Sequence, residues 1–260
     1  MSVDPLAEKY PRWSPYNYTL NNPLKLVDPD GMEAEDWVEG SSGKIYWDNN
    51  ATSQATTKKG ETYLGKNVLV ATHNRDSDLN EPINSAQFDL YLESNKNGPT
   101  ASIYGNTIPA DVNKYGTLKE GLYPAKSTNY HGDIALRLAS GGDLPTVNGN
   151  PNNKKNYKSD GSLKPTSEHI MSGILFHKGN YARTSLYTLS GKAISKGCQT
   201  GGCGPGSLKT FRTFGKNLIG FNGNYYLRNT KTLLPNLVMP VDNTYVKLPI
   251  ITNLSNITLK

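Results

Sequence analysis

Short segments in which hydrophobic and polar residues alternate recur along most of the chain. Residues 87–92 and 133–138 alternate with the period of two that is typical of a half-buried β-strand. A turn sequence, Asn97-Gly98-Pro99, follows the first of them and predicts a β-hairpin with residues 101–104. Other short segments rich in strand-forming residues lie at 44–47, 62–63, 121–125, 225–228 and 244–251. This pattern predicts a mainly β protein, a curved mixed sheet or open barrel over residues 80–235.

Three segments depart from this alternation. Apolar residues spaced three apart predict a short helix over residues 206–214. The longest apolar run covers residues 170–176 and ends at His177, and we interpret it as a buried strand. Residues 141–164 are rich in Gly, Asn and Lys and predict a long loop, a feature that often carries function.

Composition supports a protein of strands and loops. Hydrophobic residues make up only 35 % of the chain, and the mean hydropathy is −0.59. No apolar run approaches the roughly 20 residues that span a membrane, so no transmembrane segment is predicted. The formal net charge of +6 favours an acidic partner such as nucleic acid, an anionic membrane surface or a cell-wall polymer. The densest basic group, within residues 154–158, is interpreted as a solvated loop.

One region brings together the residues of a cysteine nucleophile. The apolar run delivers His177, and Ser195-Lys196-Gly197-Cys198 follows after a polar loop. A free thiol has a pKa of about 8.5, so the cysteine needs a base such as His177 to react at neutral pH. Gly197 leaves space for backbone N–H groups to approach an oxyanion. A third group should hold the imidazole tautomer, and the candidates are the side chain of Ser195 or a backbone carbonyl near Gly197.

Other interpretations of the same residues stay open. Cys198 could form a disulfide with Cys203, or could be a small buried hydrophobe. A zinc site would draw its four ligands from His169, His177, Cys198 and Cys203. Their spacing matches no common zinc module, and we expect neither a metal nor a cofactor. The other histidines, His73 and His131, lie beside polar loops and are expected at the surface, with His131 as a further candidate for lining the cleft.

The first 33 residues differ from the rest, because they are rich in Pro, Tyr and Asn and carry turn signals every few residues. The segment VDPLAEKYPRWSPYNYTLNNPLKLVDPDGM resembles the end of the core of bacterial RHS-repeat proteins, which are polymorphic toxins. In that family two Asp-Pro-x-Gly motifs supply aspartates for self-cleavage. Here they read Asp4-Pro5-Leu6-Ala7 and Asp28-Pro29-Asp30-Gly31, and we interpret both as turn formers. The resemblance implies that the following residues form a variable effector, exported as part of a larger protein.

A second resemblance rests on the residues around Cys198. L,D-transpeptidases (the YkuD-like family) carry a histidine, a spacer, and then Ser/Thr-His-Gly-Cys followed by an apolar residue and Asn or Arg. In this chain His177 precedes a spacer of 17 residues, 178–194, and Ser195-Lys196-Gly197-Cys198-Gln199-Thr200 follows. The Ser, Gly and Cys match, whereas the second His, the apolar residue and the Asn or Arg are replaced. A Thr–Gly–Tyr spacing at 117–123 is similar to a turn upstream in the family.

The resemblance implies a thioacyl mechanism. Cys198 would attack the carbonyl of the L-centre of diaminopimelate in a peptidoglycan stem peptide, with His177 as the general base. An amine or water would then resolve the thioacyl intermediate. Ser195 and Gly197 complete the implied catalytic set. The residues implied to contact the substrate are Gly179, Lys196, Thr200 and Arg183, with Arg212 as a second candidate for gripping a substrate carboxylate.

These interpretations divide the chain into four parts: an RHS remnant (1–33), a connector with short hairpins (34–79), a catalytic domain (80–235) and a C-terminal tail (236–260). We expect a peptidoglycan-modifying toxin effector that acts at the wall or in the periplasm of a target cell. A cognate immunity protein is a further expected partner, and neither nucleic acid nor a membrane span is expected. The two rival hypotheses are a nuclease effector, since the chain is basic, and a non-catalytic wall-binding module.

Overall fold

The computed structural model describes residues 35–73, 86–109, 111–179, 195–202 and 207–229. In these residues the chain forms thirteen strands and two α-helices. The strands are β1 (Asp36–Glu39), β2 (Ile45–Asp48), β3 (Thr62–Gly65), β4 (Val68–His73), β5 (Ala86–Tyr91), β6 (Ala101–Asn106), β7 (Gly121–Tyr130), β8 (Asp133–Leu138), β9 (Asp143–Pro145), β10 (Ile170–Ser172), β11 (Leu175–Lys178), β12 (Gln199–Gly201) and β13 (Asn222–Asn229). The helices are α1 (Val112–Tyr115) and α2 (Ser207–Gly215). The RHS-like segment 1–33 and the predicted strand 244–251 lie outside the described residues.

Eight of the strands close into a barrel in the order β11-β12-β6-β5-β4-β13-β7-β8. Neighbouring strands are antiparallel except β4–β13 and β11–β12, which are parallel. The prediction of a mainly β protein with a mixed sheet is confirmed. The barrel is closed rather than open, because β11 pairs with β8 through Leu175↔Arg137 and Phe176↔Leu136. This pairing removes the exposed strand edges that an open barrel would leave.

Alternate residues of the barrel strands point into one hydrophobic core. Its fully buried members include Leu69, Phe88, Leu136, Phe176 and Tyr225. The predicted helix is confirmed as α2, and Phe211 and Phe214 of this helix pack against the ring of Phe176 at centroid distances of 5.9 and 6.0 Å. The packing of Phe176 therefore fixes β11, the strand that also carries His177.

A three-stranded antiparallel sheet, β2-β1-β3, packs on the outside of the barrel. Trp37 of this sheet is buried with Val68 and Val70 of β4 and with Tyr91 of β5. β4 lies in the segment predicted as a connector, yet it is a barrel strand. All six of its residues are buried because the core covers one face and the small sheet covers the other.

The prediction that residues 170–176 form a single strand is wrong. Gly173, with φ +69°, divides the run into β10, which pairs with β9, and β11, which enters the barrel. A positive φ favours glycine because it has no Cβ. β9 lies inside the predicted loop 141–164, where the other elements are short 3-10 helices and turns. Among the described residues, no helix is long and apolar enough to cross a membrane.

Candidate active site

The parallel pairing of β11 with β12 brings His177 close to the turn that carries Cys198. The register pairs Phe176 with Gln199 and His177 with Thr200. Phe176 and Gln199 face the core, where Gln199 accepts a hydrogen bond of 3.0 Å from a buried tyrosine. Because side chains alternate along a strand, His177, Thr200 and Cys198, which immediately precedes β12, share the outer face.

A neighbouring backbone carbonyl orients the imidazole of His177. Nδ1 lies 2.5 Å from the backbone oxygen of Lys178. A carbonyl oxygen can only accept, so Nδ1 carries the hydrogen and Nε2 keeps a lone pair. The ring of Tyr130 packs beside the imidazole, with centroids 4.6 Å apart. The prediction that Ser195 or a carbonyl near Gly197 holds the tautomer is therefore wrong, because the Lys178 carbonyl does so.

Ser195 instead shapes the turn that presents the cysteine. Its hydroxyl donates to the backbone oxygen of Cys198 at 2.6 Å and accepts from the N–H of Gly197 at 3.1 Å. These two bonds close the turn immediately before β12. Of the backbone donors predicted to serve an oxyanion around the sulfur, that of Gly197 is thus engaged within the turn.

Burial sets the protonation states of the two central groups. Desolvation lowers the pKa of His177 from its ordinary 6.5, and the bond to the Lys178 oxygen opposes this to a smaller extent. Desolvation raises the pKa of the Cys198 thiol, opposed by a backbone hydrogen bond from Leu175. Both groups are therefore neutral at pH 7. In the part of the chain that the structure describes, no hydrogen bond joins Sγ to the imidazole.

Three of the residues predicted to contact the substrate are described. Thr200 lies directly beside His177 and is 3 % exposed. Lys196 is exposed in the turn that carries the cysteine. The N–H of Gly179 donates to the oxygen of Gly201 at 3.1 Å, so Gly179 extends the pairing of β11 with β12. Thr200 and Lys196 therefore lie at the site, whereas Gly179 contributes a backbone hydrogen bond that extends the pairing of its two strands.

The other predicted residues do not add to the site. Arg183 and the disulfide candidate Cys203 lie outside the described residues. Arg212 donates to Asp133 at 2.8 Å, and Asp133 also accepts from Lys178. These two hydrogen bonds lower the pKa of the Asp133 carboxyl. Arg212 is therefore already engaged by a carboxylate of the protein itself.

An aromatic wall beside His177 was not predicted. Tyr130 ends β7 and packs on His177, and His131, at the tip of the β7–β8 hairpin, packs on Tyr130 with ring centroids 4.2 Å apart. His131 is exposed, as predicted, and its charge contributes to lowering the pKa of His177. The two-residue turn His131-Gly132 between two alternating segments is the sequence signal for this hairpin.

The two remaining histidines have structural partners away from Cys198. His73 was predicted at the surface, but it is fully buried and its Nε2 lies 3.1 Å from a carboxylate oxygen of Glu120. His169 is buried, and its ring nitrogens lie 2.8 and 2.9 Å from backbone atoms of Asn150 and Lys164. His169 is therefore not placed to join His177 as a zinc ligand. No group of three potential metal ligands lies within the described ranges.

A scan against protein-family models, a search of curated proteins and a search of solved structures each found no match to this chain.

Proposed function

We propose that the chain is a cysteine-dependent acyl-transfer enzyme of the L,D-transpeptidase type. It acts on peptidoglycan stem peptides at the wall or in the periplasm of a target cell, as the effector part of an RHS-type toxin. One observation carries the proposal. His177 of β11 and Cys198, which immediately precedes β12, share the outer face of these two paired strands, and the Lys178 carbonyl holds the imidazole with Nε2 ready to accept a proton.

The neutral pair defines the order of the proton transfers. As Sγ of Cys198 bonds to the carbonyl carbon of the substrate, its proton passes to Nε2 of His177 and the π electrons move onto the carbonyl oxygen. Collapse of this intermediate breaks the C–N bond, and the imidazolium gives its proton to the leaving amine. An amine or water then attacks the thioacyl carbon and restores the thiol. The lack of a hydrogen bond between Sγ and the imidazole among the described residues agrees with an enzyme that holds no substrate. In such enzymes catalytic hydrogen bonds often form fully only when the substrate binds.

Exposed positive charge beside the site supports an acidic substrate. On the outer face, the register places Arg137 of β8 opposite Leu175, and Lys126 of β7 opposite Arg137. Both basic residues are exposed, as is Lys196. Like charges directly opposite each other destabilise a sheet. A carboxylate of a stem peptide bound between them would offset that cost.

Digestion of purified sacculi tests the proposal. We expect the wild-type protein to change the muropeptide profile at L,D-centres, as read by mass spectrometry. Cys198→Ala and His177→Gln should leave the profile unchanged, because the nucleophile or its base is missing. Cys203→Ser removes the other thiol and should retain activity. Cys198→Ala should still bind sacculi, so that its unchanged muropeptide profile reflects the missing nucleophile and not a loss of binding.

Three results would contradict the proposal. One is an unchanged muropeptide profile with folded wild-type protein. Another is toxicity of Cys198→Ala in the periplasm of a target cell equal to that of the wild type, which would favour the wall-binding module. The third is degradation of plasmid DNA with Mg²⁺ by the Cys198→Ala variant, which would favour the nuclease.

A further inference from the structure

Asn106 carries a buried hydrogen-bond donor without a partner among the described residues. This residue ends β6 and is 1 % exposed. Its Oδ1 accepts the N–H of Ile108 at 2.6 Å. Because a backbone N–H can only donate, this bond fixes which amide atom is oxygen and which is nitrogen. The atom left unpaired within the described ranges is therefore Nδ2.

Strand register places this amide beside the candidate active site. β6 pairs with β12 so that Asn106 is opposite Thr200, and β11 pairs with the other edge of β12 so that His177 is also opposite Thr200. Paired residues project to the same face of a sheet. Asn106, Thr200 and His177 therefore form one row across three strands on the outer face. Cys198 lies two residues before the middle of that row.

The environment of Asn106 suits a donor to a developing negative charge. A buried polar group without a partner is rare, because its lost hydration is not repaid. The bond from Ile108 holds the amide in place, so Nδ2 cannot turn to another acceptor without losing that bond. A fixed donor in a water-excluded place is the kind of group that stabilises an oxyanion. The Gly197 N–H is occupied by Ser195, which leaves room for such a donor.

We propose that Nδ2 of Asn106 donates a hydrogen bond to the acyl oxygen of the substrate as that oxygen becomes negatively charged during attack by Cys198. The inference rests on acyl transfer at Cys198, but it does not depend on which acyl donor is used. Since the bond strengthens as charge develops, Asn106 accelerates acylation and leaves the reactivity of the thiol itself unchanged.

Two reactions of the same sulfur separate this role from a structural one. Acylation by p-nitrophenyl acetate passes through an oxyanion, whereas alkylation by iodoacetamide displaces iodide and does not. We expect Asn106→Asp and Asn106→Ala to lower the ratio of acylation to alkylation at Cys198 by about 100- to 1,000-fold. Asn106→Asp keeps the acceptor for Ile108 but replaces the donor with an oxygen. Both rates are followed by intact mass spectrometry in the Cys203→Ser background.

Asn67→Asp is the control, because Asn67 Oδ1 likewise accepts a backbone N–H, that of Glu93 at 3.1 Å, in the turn between β3 and β4. It should leave the ratio unchanged. An unchanged ratio in the Asn106 variants, through equal falls in both reactions or through no fall, would overturn the inference. Asn106→Ser, which retains a small donor, should give an intermediate ratio and keeps the test available if the other variants fold poorly. Wild-type protein that reacts with p-nitrophenyl acetate but leaves sacculi unchanged would refute the peptidoglycan substrate alone.

Discussion

The thiol of Cys198 and the imidazole of His177 are both desolvated, and desolvation disfavours their charged forms. In the absence of substrate, iodoacetamide should therefore alkylate Cys198 slowly at pH 7, because the thiolate is scarce. The rate should rise with pH to a midpoint higher than that of a free thiol, because burial raises the pKa of the Cys198 thiol. Cys203→Ser leaves Cys198 as the single thiol, since the chain has two cysteines. A fast plateau at neutral pH would contradict the prediction and indicate a thiolate–imidazolium pair.

The lowered pKa of His177 also predicts the acid limit of catalysis. His177 accepts a proton only when neutral, so activity should persist below pH 6.5 and fall as the pH drops through its lowered pKa. His131→Gln removes a charge that lowers this pKa, so it should move the acid limit to higher pH. The profile of kcat/KM for p-nitrophenyl acetate measures this. Lys209→Gln, an exposed charge on α2, is the control, and an acid limit that His131→Gln leaves in place would refute the effect of His131.

Cys198, His177 and Ser195 could be chosen as candidates from the sequence, because a reactive thiol would need a nearby base and a turn to present it. The group that holds the imidazole could not be predicted, because it is the carbonyl of Lys178 and every residue has a carbonyl. Asn106 could not be predicted either. Only the register of β6, β12 and β11 brings it beside His177, and register is a property of the folded sheet.

Among the elements, the turn before β12 depends on glycine at position 197. Gly197 has φ +120°, and a Cβ there would lie 2.8 Å from Cε of Met171. Gly197→Ala should lower the free energy of unfolding by about 1–3 kcal/mol through backbone strain, because Cε of Met171 ends a flexible side chain that can move aside at little cost. Gly132 also has a positive φ, +81°, but a Cβ there would meet open space. Gly132→Ala should therefore show only the loss of stability from backbone strain. Urea unfolding measures both, and a much larger loss for Gly197→Ala than for Gly132→Ala would show that Met171 cannot move aside.

The loop between β9 and β10 is anchored by a buried amide. Asn156 Nδ2 donates to the oxygens of Asn150 and Ile170 at 2.8 and 2.9 Å, and its Oδ1 accepts the N–H of Ile170 at 2.9 Å. Asn156→Ala removes the acceptor of the buried Ile170 N–H, whereas the oxygens of Asn150 and Ile170 keep other donors, and it should cost about 1–3 kcal/mol. Amide hydrogen exchange across residues 146–170 should rise in this variant but not in Asn152→Ala, an exposed neighbour. Equal protection in the two variants would show that the amide does not hold the loop.

Whether a strand could be predicted from the sequence depended on whether one or both of its faces are buried. β5 and β8 could be predicted because one face of each meets the core and the other is more open, which produces alternation. β4 is covered on both faces, so its run of buried residues shows no period of two. The break at Gly173 was missed because the apolar run continues on both sides of it. The closure of the barrel depends on pairing between β11 and β8, which no local pattern records.

At the scale of the whole molecule, a buried ion pair joins the small sheet to the barrel. Arg228 of β13 donates to Glu39 of β1, and both side chains are 10 % exposed. Tyr226 Oη also donates to Glu39, at 2.6 Å. Trp37, also of β1, packs against β4. Removing one member of a buried ion pair leaves the other charge buried without a partner. This costs more stability than replacing both members by apolar residues. The sheet and the barrel should therefore depend on each other for stability.

Unfolding followed by two signals tests this dependence. Trp37 and Trp47 lie in the small sheet, so in a Trp13→Phe variant, which retains two of the three tryptophans, fluorescence reports on the sheet while far-UV circular dichroism reports mainly on the barrel. The urea midpoints of the two signals should coincide. Arg228→Met should lower both together, by about 3–5 kcal/mol in the free energy of unfolding, whereas Lys59→Met, at an exposed position, should lower neither. A fluorescence transition at lower urea than the circular dichroism transition would mean that the sheet unfolds by itself. In that case the Glu39–Arg228 pair would stabilise the sheet locally without coupling it to the barrel that carries Cys198.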